Sequence, residues 1–124
     1  MDRIPILKLQ SYLLVSIQTD LHDAIITALQ EDILNEISRT GARGVLIDIS
    51  ALDIVDSFMA RTLRDSGIMA GLLGTKMVIT GIQPAVAITL VDLGLDFKGI
   101  LTALDIDTGF AMLQELTEKN NDGF

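Results

Sequence analysis

The stretch "ALDIVDSFMARTL", residues 51–63, places one hydroxyl, Ser57, between Asp56 and Phe58, directly after the apolar run "GVLIDIS". A serine beside a carboxylate suits nucleophilic catalysis, helix capping or phosphorylation, and the rest of the sequence decides among them. Nucleophilic catalysis needs a base, and His22 is the single histidine, far from Ser57 in sequence and flanked by aspartates; no G-x-S-x-G turn surrounds the serine. His22 reads as a solvated helix residue. Asp48, Asp53 and Asp56 fall at or beyond the end of an apolar run, where clustered carboxylates would suit Mg²⁺. Loop solvation and capping are the preferred explanation for them, and Arg61 and Arg64, the nearest basic residues, lie within the next helix rather than in a phosphate cradle. G-x-G-x-x-G, G-x-x-x-x-G-K-[ST] and H-E-x-x-H do not occur. We therefore expect no catalytic residue, no metal and no cofactor.

If Asp56 caps the helix, Ser57 opens its first turn, where unpaired N–H groups and the positive end of the dipole favour a phosphate. If Ser57 is itself the cap, its hydroxyl is tied to a backbone N–H. Spacing alone does not say which of the two is the cap and favours a plain capping role over a phosphosite, because Ser and Asp are both ordinary helix-start residues.

Composition bounds the partners. The chain has 124 residues, enough for one domain with its own core, and no Cys, which fits a reducing cytosol. With 17 acidic against 9 basic residues, the net charge of -8 repels nucleic acid and anionic lipid. The opening "MDRIPILKLQ" lacks the basic and apolar regions of a signal peptide, so a cytoplasmic location is expected. The most membrane-like window, "MVITGIQPAVAITLVDLGL", is broken by Gly81, Gln83, Pro84 and Asp92 and reads as strand, turn and helix. A mean hydropathy of +0.48 is high for an isolated domain, and part of the apolar surface is expected to meet another protein.

The elements that must position Ser57 alternate along the chain. "IPILKLQ" and "YLLVSIQ" read as two strands or a hairpin, and "GVLIDIS" and "KMVITG" as central parallel strands. "ILTALD" reads as a last short strand. Between them, Ile25, Leu29, Ile33 and Ile37 recur every fourth residue on an amphipathic helix, with Asp20 as its expected cap and Gly41 as its left-handed stop. A helix starts near Ser57, another follows Pro84 and leaves at Gly94, and a final one is expected to start at an Asp107 cap. In the helix from Ser57, Ala60, Leu63, Gly67 and Ala70 form a stripe fit to pack on the sheet. Phe58, Arg61, Asp65, Ile68 and Leu72 form another, fit for docking a partner, although a core position would also account for Phe58. The expected architecture is one α/β domain over residues 1–118, a mixed, mostly parallel sheet with helices packed on it, and a frayed tail at 119–124.

"GVLIDISALDIVDSFMARTL" followed by "LLGTKMVITGIQPAVAITLVDLG" resembles the STAS family of anti-sigma factor antagonists, and the likeness is to its single-domain members from the bacterial stressosome. The resemblance implies that Ser57, in the family's D-S dipeptide, is phosphorylated by an RsbT-like serine kinase. It implies that the chain sequesters this kinase until phosphorylation releases it, within a large complex shared with RsbR-like STAS paralogues. A phosphatase that resets the serine, and control of a stress-response sigma factor, follow from the same likeness. Asp56, Phe58, Arg61 and Asp65 are then candidate partner contacts. Thr89, after the "GIQP" turn, stands where the paralogues carry a second phosphorylated threonine; in single-domain members strong use of that site is not expected, and packing or capping is the preferred reading for it. Unlike those paralogues, the chain is expected to carry no N-terminal sensor domain, given its short N-terminus. The alternative function is a STAS-like module binding a nucleotide or small anion near Asp48, Asp53 and Asp56.

Overall fold

In the computed structural model, which describes residues 3–121, the two N-terminal apolar runs form a hairpin. Strand β1 (Leu7–Leu9) pairs antiparallel with β2 (Tyr12–Ser16), Leu9 opposite Tyr12, and Gln10 turns the chain with a φ of 56°. Helix α1 (Asp23–Thr40) then carries the chain to β3 (Gly44–Asp48), α2 (Ser57–Leu72) to β4 (Lys76–Thr80), and α3 (Pro84–Asp92) to β5 (Leu101–Ala103). Helix α4 (Ile106–Asn121) follows. The strands lie in the order β1-β2-β3-β4-β5, and all pairs after the first are parallel.

The layering follows from that order. Three successive crossovers advance in one direction across the sheet, and right-handed connections place all three helices on one face. Leu13, Val15, Ile17, Val45, Ile47, Met77 and Ile79 point to that face and pack with Ile26, Leu29, Ile33 and Ile37 of α1 and Met59, Ala60, Leu63 and Ala70 of α2. Alternate residues Tyr12, Leu46 and Val78 point to the other face, where Leu113 of α4 meets them. Buried on both faces, β3 reads as the continuous apolar run seen in the sequence. The Tyr12 hydroxyl, 2.6 Å from Thr117 Oγ1, ties the hairpin to α4.

Two helix starts differ from expectation. The α1 cap is His22, not Asp20, and its side chain makes no capping hydrogen bond. Leu21, just before the cap, packs against the core cluster containing Ile26, so the entry is fixed by an apolar clasp across the first turn rather than by a carboxylate. The cap of α4 is Asp105, not Asp107: Asp105 Oδ1 accepts the Thr108 N–H at 2.8 Å. That backbone hydrogen bond holds the Asp105 carboxyl below the usual carboxylate range. The expected stop of α1 holds, with Gly41 at φ 67° donating to Ile37 O at 2.8 Å. Of the tail expected at 119–124, residues 119–121 belong to α4 and 122–124 lie outside the described residues. Among the described residues no helix is long and apolar enough to cross a membrane.

Candidate functional site

Ser57 is positioned from below by the ends of β3 and β4. Asp48, 6% exposed, accepts hydrogen bonds from Thr80 Oγ1 at 2.8 Å and Ser50 Oγ at 2.7 Å, bolting the two strand ends together. The loop leaving β3 is anchored by the buried side chains of Leu52 and Val55, with Asp53 and Ile54 turned to solvent between them. Burial of Val55 and of Met59 on either side fixes the height at which α2 begins.

The helix start resolves the ambiguity between the two capping readings. Asp56 is the cap, in extended conformation, its Oδ1 accepting the Met59 N–H at 2.7 Å. Ser57 is therefore the first helical residue, half-buried, and its hydroxyl is bonded to neither Asp56 nor His22. The pairing that a serine hydrolase needs is not made. Further along, Thr62 Oγ1 donates to Phe58 O at 2.8 Å and Ser66 Oγ to Thr62 O at 2.6 Å. Gln30 of α1 donates to Ser66 Oγ at 3.1 Å and to Thr62 O at 3.3 Å, locking α1 against α2.

The two stripes read from α2 separate as expected. Ala60, Leu63, Gly67 and Ala70 are buried, and a Cβ on Gly67 would stand 2.6 Å from Ile100 Cδ1, so that glycine permits the close approach. Phe58 at 39%, Ile68 at 50% and Leu72 at 83% are exposed, as is Arg61; Asp65 is half-buried and pairs with Arg64 at 3.0 Å. Phe58 is thus not a core residue. Its exposed ring, with Ile68 and Leu72, gives α2 an outward face that is apolar at both ends and charged between.

The structure does not bring Asp48, Asp53 and Asp56 into one site. Asp48 turns inward to Thr80 and borders a hollow with Ser50, Leu104, Asp105, Ile106 and Asp107, whereas Asp56 borders a different hollow with Asp20, Leu21, His22 and Asp23. Three carboxylates and no basic side chain line the first hollow, the wrong charge for a nucleotide or small anion. Among the described residues no three His, Cys, Asp or Glu side chains converge so as to hold a metal ion. Nothing in the spacing of the sequence signals the second hollow, because the start of α1 and the start of α2 adjoin only in the fold. It sets Ser57 at the border of a strongly acidic surface. Thr89 lies half-buried in α3, and its hydroxyl donates to Ala85 O at 3.1 Å, the ordinary back-bond of a helical threonine.

Residues 3–109 match the model of the STAS domain. A serine-to-glutamate variant of RsbS from Moorella thermoacetica is 42% identical, with a TM-score of 0.83 over 93% of this chain and 97% of that one. A chain from a structure of the molecular architecture of the stressosome, a signal integration and transduction hub, is 41% identical, with a TM-score of 0.77 over 91% and 98% of the two chains. The RsbT co-antagonist protein RsbRA of Bacillus subtilis is 30% identical over 91 residues, 73% of this chain but only 33% of that protein. The chain thus spans about a third of the length of that relative. Sheet order, the helix pair behind it and the D-S start of α2 all lie within the matched residues, and the chain belongs to the STAS domain family, similar over nearly its whole length to RsbS.

Proposed function

We propose that the chain is a non-enzymatic phosphoswitch and scaffold of a bacterial stressosome. In the cytoplasm it holds an RsbT-like serine kinase and releases it when Ser57 is phosphorylated, so regulating a stress-response sigma factor pathway. The observation that carries this reading is the division of labour at the start of α2: Asp56 caps the helix, which leaves the Ser57 hydroxyl half-exposed and uncommitted. A serine needed for the cap would not be available for transfer. Here the kinase moves the γ-phosphoryl group of ATP to Ser57 Oγ, ADP departs and the hydroxyl proton is lost.

Phe58, Arg61 and Asp65, together with Asp56, form the surface the kinase must cover to reach that oxygen. A dianion placed there must be desolvated on docking, which opposes binding more than it opposes folding. A phosphatase would restore the binding form. Apolar side chains left exposed along α2 and α3, among them Ile68, Leu72, Ile88 and Val91, support assembly with RsbR-like STAS paralogues or with further copies of the chain. Incubation with the kinase and ATP, followed by phosphopeptide mapping, tests the reading. Phosphate on Ser57 and not on Thr89 is expected; an unmodified Ser57 would overturn it.

A further inference from the structure

The acidic border of Ser57 raises the question of what receives a phosphate once it is attached. The hollow beside the start of α2 is lined by Asp20, Leu21, His22, Asp23 and Asp56, and the chain as a whole carries a net charge of -8. Asp56 already occupies the Met59 N–H, so the helix end offers only its first N–H groups, those of Ser57 and Phe58. A dianion there is repelled by at least three carboxylates and needs a cation.

One side chain stands in the right place. Residues four apart on a helix face each other, with about 5–6 Å between their Cβ atoms, and an acid placed before a base is the favourable order. Arg61 is the residue four after Ser57. It is exposed and makes no ion pair or hydrogen bond among the described residues, whereas Arg64, the next basic side chain, is held by Asp65 through Nε at 3.1 Å and Nη2 at 3.0 Å. Thr62, which follows Arg61, is buried with its hydroxyl bonded to Phe58 O and does not compete.

We propose that Arg61 is the intramolecular receptor of the Ser57 phosphate, pairing with it one turn along α2. The proposal rests on the phosphoswitch reading and deepens it. In the unmodified protein the guanidinium is open to an acidic group of the partner; in the phosphorylated protein it is turned onto the chain's own phosphate. Release then has two parts, an anion added at Ser57 and a cation withdrawn at Arg61. An arginine suits the role because its planar fork grips two phosphate oxygens at once.

The test installs phosphoserine at position 57 during translation, with no kinase, and follows the ³¹P signal through a pH titration. A phosphoserine loses its second proton near about pH 6. A cation beside it favours the dianion and lowers that value, while Asp20, Asp23 and Asp56 raise it and His22 lowers it when protonated. Arg61→Gln is expected to raise the second pKa by about half a unit. Arg61→Lys is expected to recover part of the difference, and Arg64→Gln to leave the value where it was. Equal pKa values in wild type and Arg61→Gln would overturn the proposal, as would an equal shift from Arg64→Gln, which would show only the general field of a lost charge. Arg61 is exposed, so the variant should give an unchanged far-UV spectrum. If the kinase failed to modify Ser57, the switch reading would fall and this titration would still decide the pairing.

Discussion

Removing the carboxylate of Asp56 should destabilise the fold, and removing the hydroxyl of Ser57 should not. The Met59 N–H lies 2.7 Å from Asp56 Oδ1, and loss of such a cap costs about 1 kcal/mol. For 124 residues, an unfolding entropy of about 2.1 cal/mol/K per residue amounts to about 0.26 kcal/mol/K, so Asp56→Ala should lower Tm by about 4 °C. Asp56→Asn keeps an acceptor oxygen and should lose less than half of that. Ser57→Ala removes a hydroxyl with no capping role and should stay within about 0.5 kcal/mol, or about 2 °C. Thermal melts followed at 222 nm, a wavelength sensitive to helix content, compare the three. A Ser57→Ala loss as large as that of Asp56→Ala would make the serine a cap and remove the structural basis of the switch.

Other positions give independent checks. Gly67→Ala puts a Cβ 2.6 Å from Ile100 Cδ1 and Cγ1 and should cost about 1–3 kcal/mol by denaturant unfolding; Ile100→Ala in the same chain should relieve the overlap, so the double variant loses less than the sum of the singles. Tyr12→Phe removes the 2.6 Å hydrogen bond to Thr117 Oγ1 and should cost only about 1 kcal/mol, since that oxygen keeps its bond to Leu113 O at 2.8 Å. At Asp105 the folded carboxyl titrates below its unfolded value, chiefly through the Thr108 N–H, so its contribution is present above the unfolded value and is lost as pH falls through the folded one. Carboxyl NMR should find it among the last aspartates to protonate on acidification, and Asp105→Asn should flatten this part of the pH dependence of Tm.

Much of this architecture is legible in the residues because each strand carries its own burial signature. "GVLID" is apolar enough for a strand covered on both faces, and Ala60, Leu63, Gly67 and Ala70 repeat at helical spacing on the buried side of α2. Helix starts were harder to place. "TDLHD" offers Asp20, yet burial of Leu21 beside the core moves the start of α1 to His22, and "ALDIDTG" offers two aspartates of which the first accepts the Thr108 N–H. At α1 packing of Leu21 chose between local signals, whereas at α4 the choice shows only in which carboxylate accepts the Thr108 N–H. At the site, Asp56 and Ser57 are both good caps by residue type, and only the Met59 hydrogen bond separates them. The acidic hollow was not legible at all, since it joins the starts of two helices that meet only because both crossovers lie on the same face of the sheet.

The central claim, that Ser57 is a phosphoswitch controlling kinase retention, is tested most directly by the affinity of an RsbT-like kinase for four forms of the protein. These are wild type, Ser57→Ala, Ser57→Asp and the protein phosphorylated at Ser57, each first shown to keep its far-UV spectrum. Wild type and Ser57→Ala should bind alike without ATP. Ser57→Asp should bind less tightly and the phosphorylated form least, and on adding ATP the kinase should dissociate from wild type but stay on Ser57→Ala. Equal affinity for all four forms, with no phosphate appearing on Ser57 in the presence of kinase and ATP, would contradict the account and leave Ser57 as the first residue of a helix and nothing more.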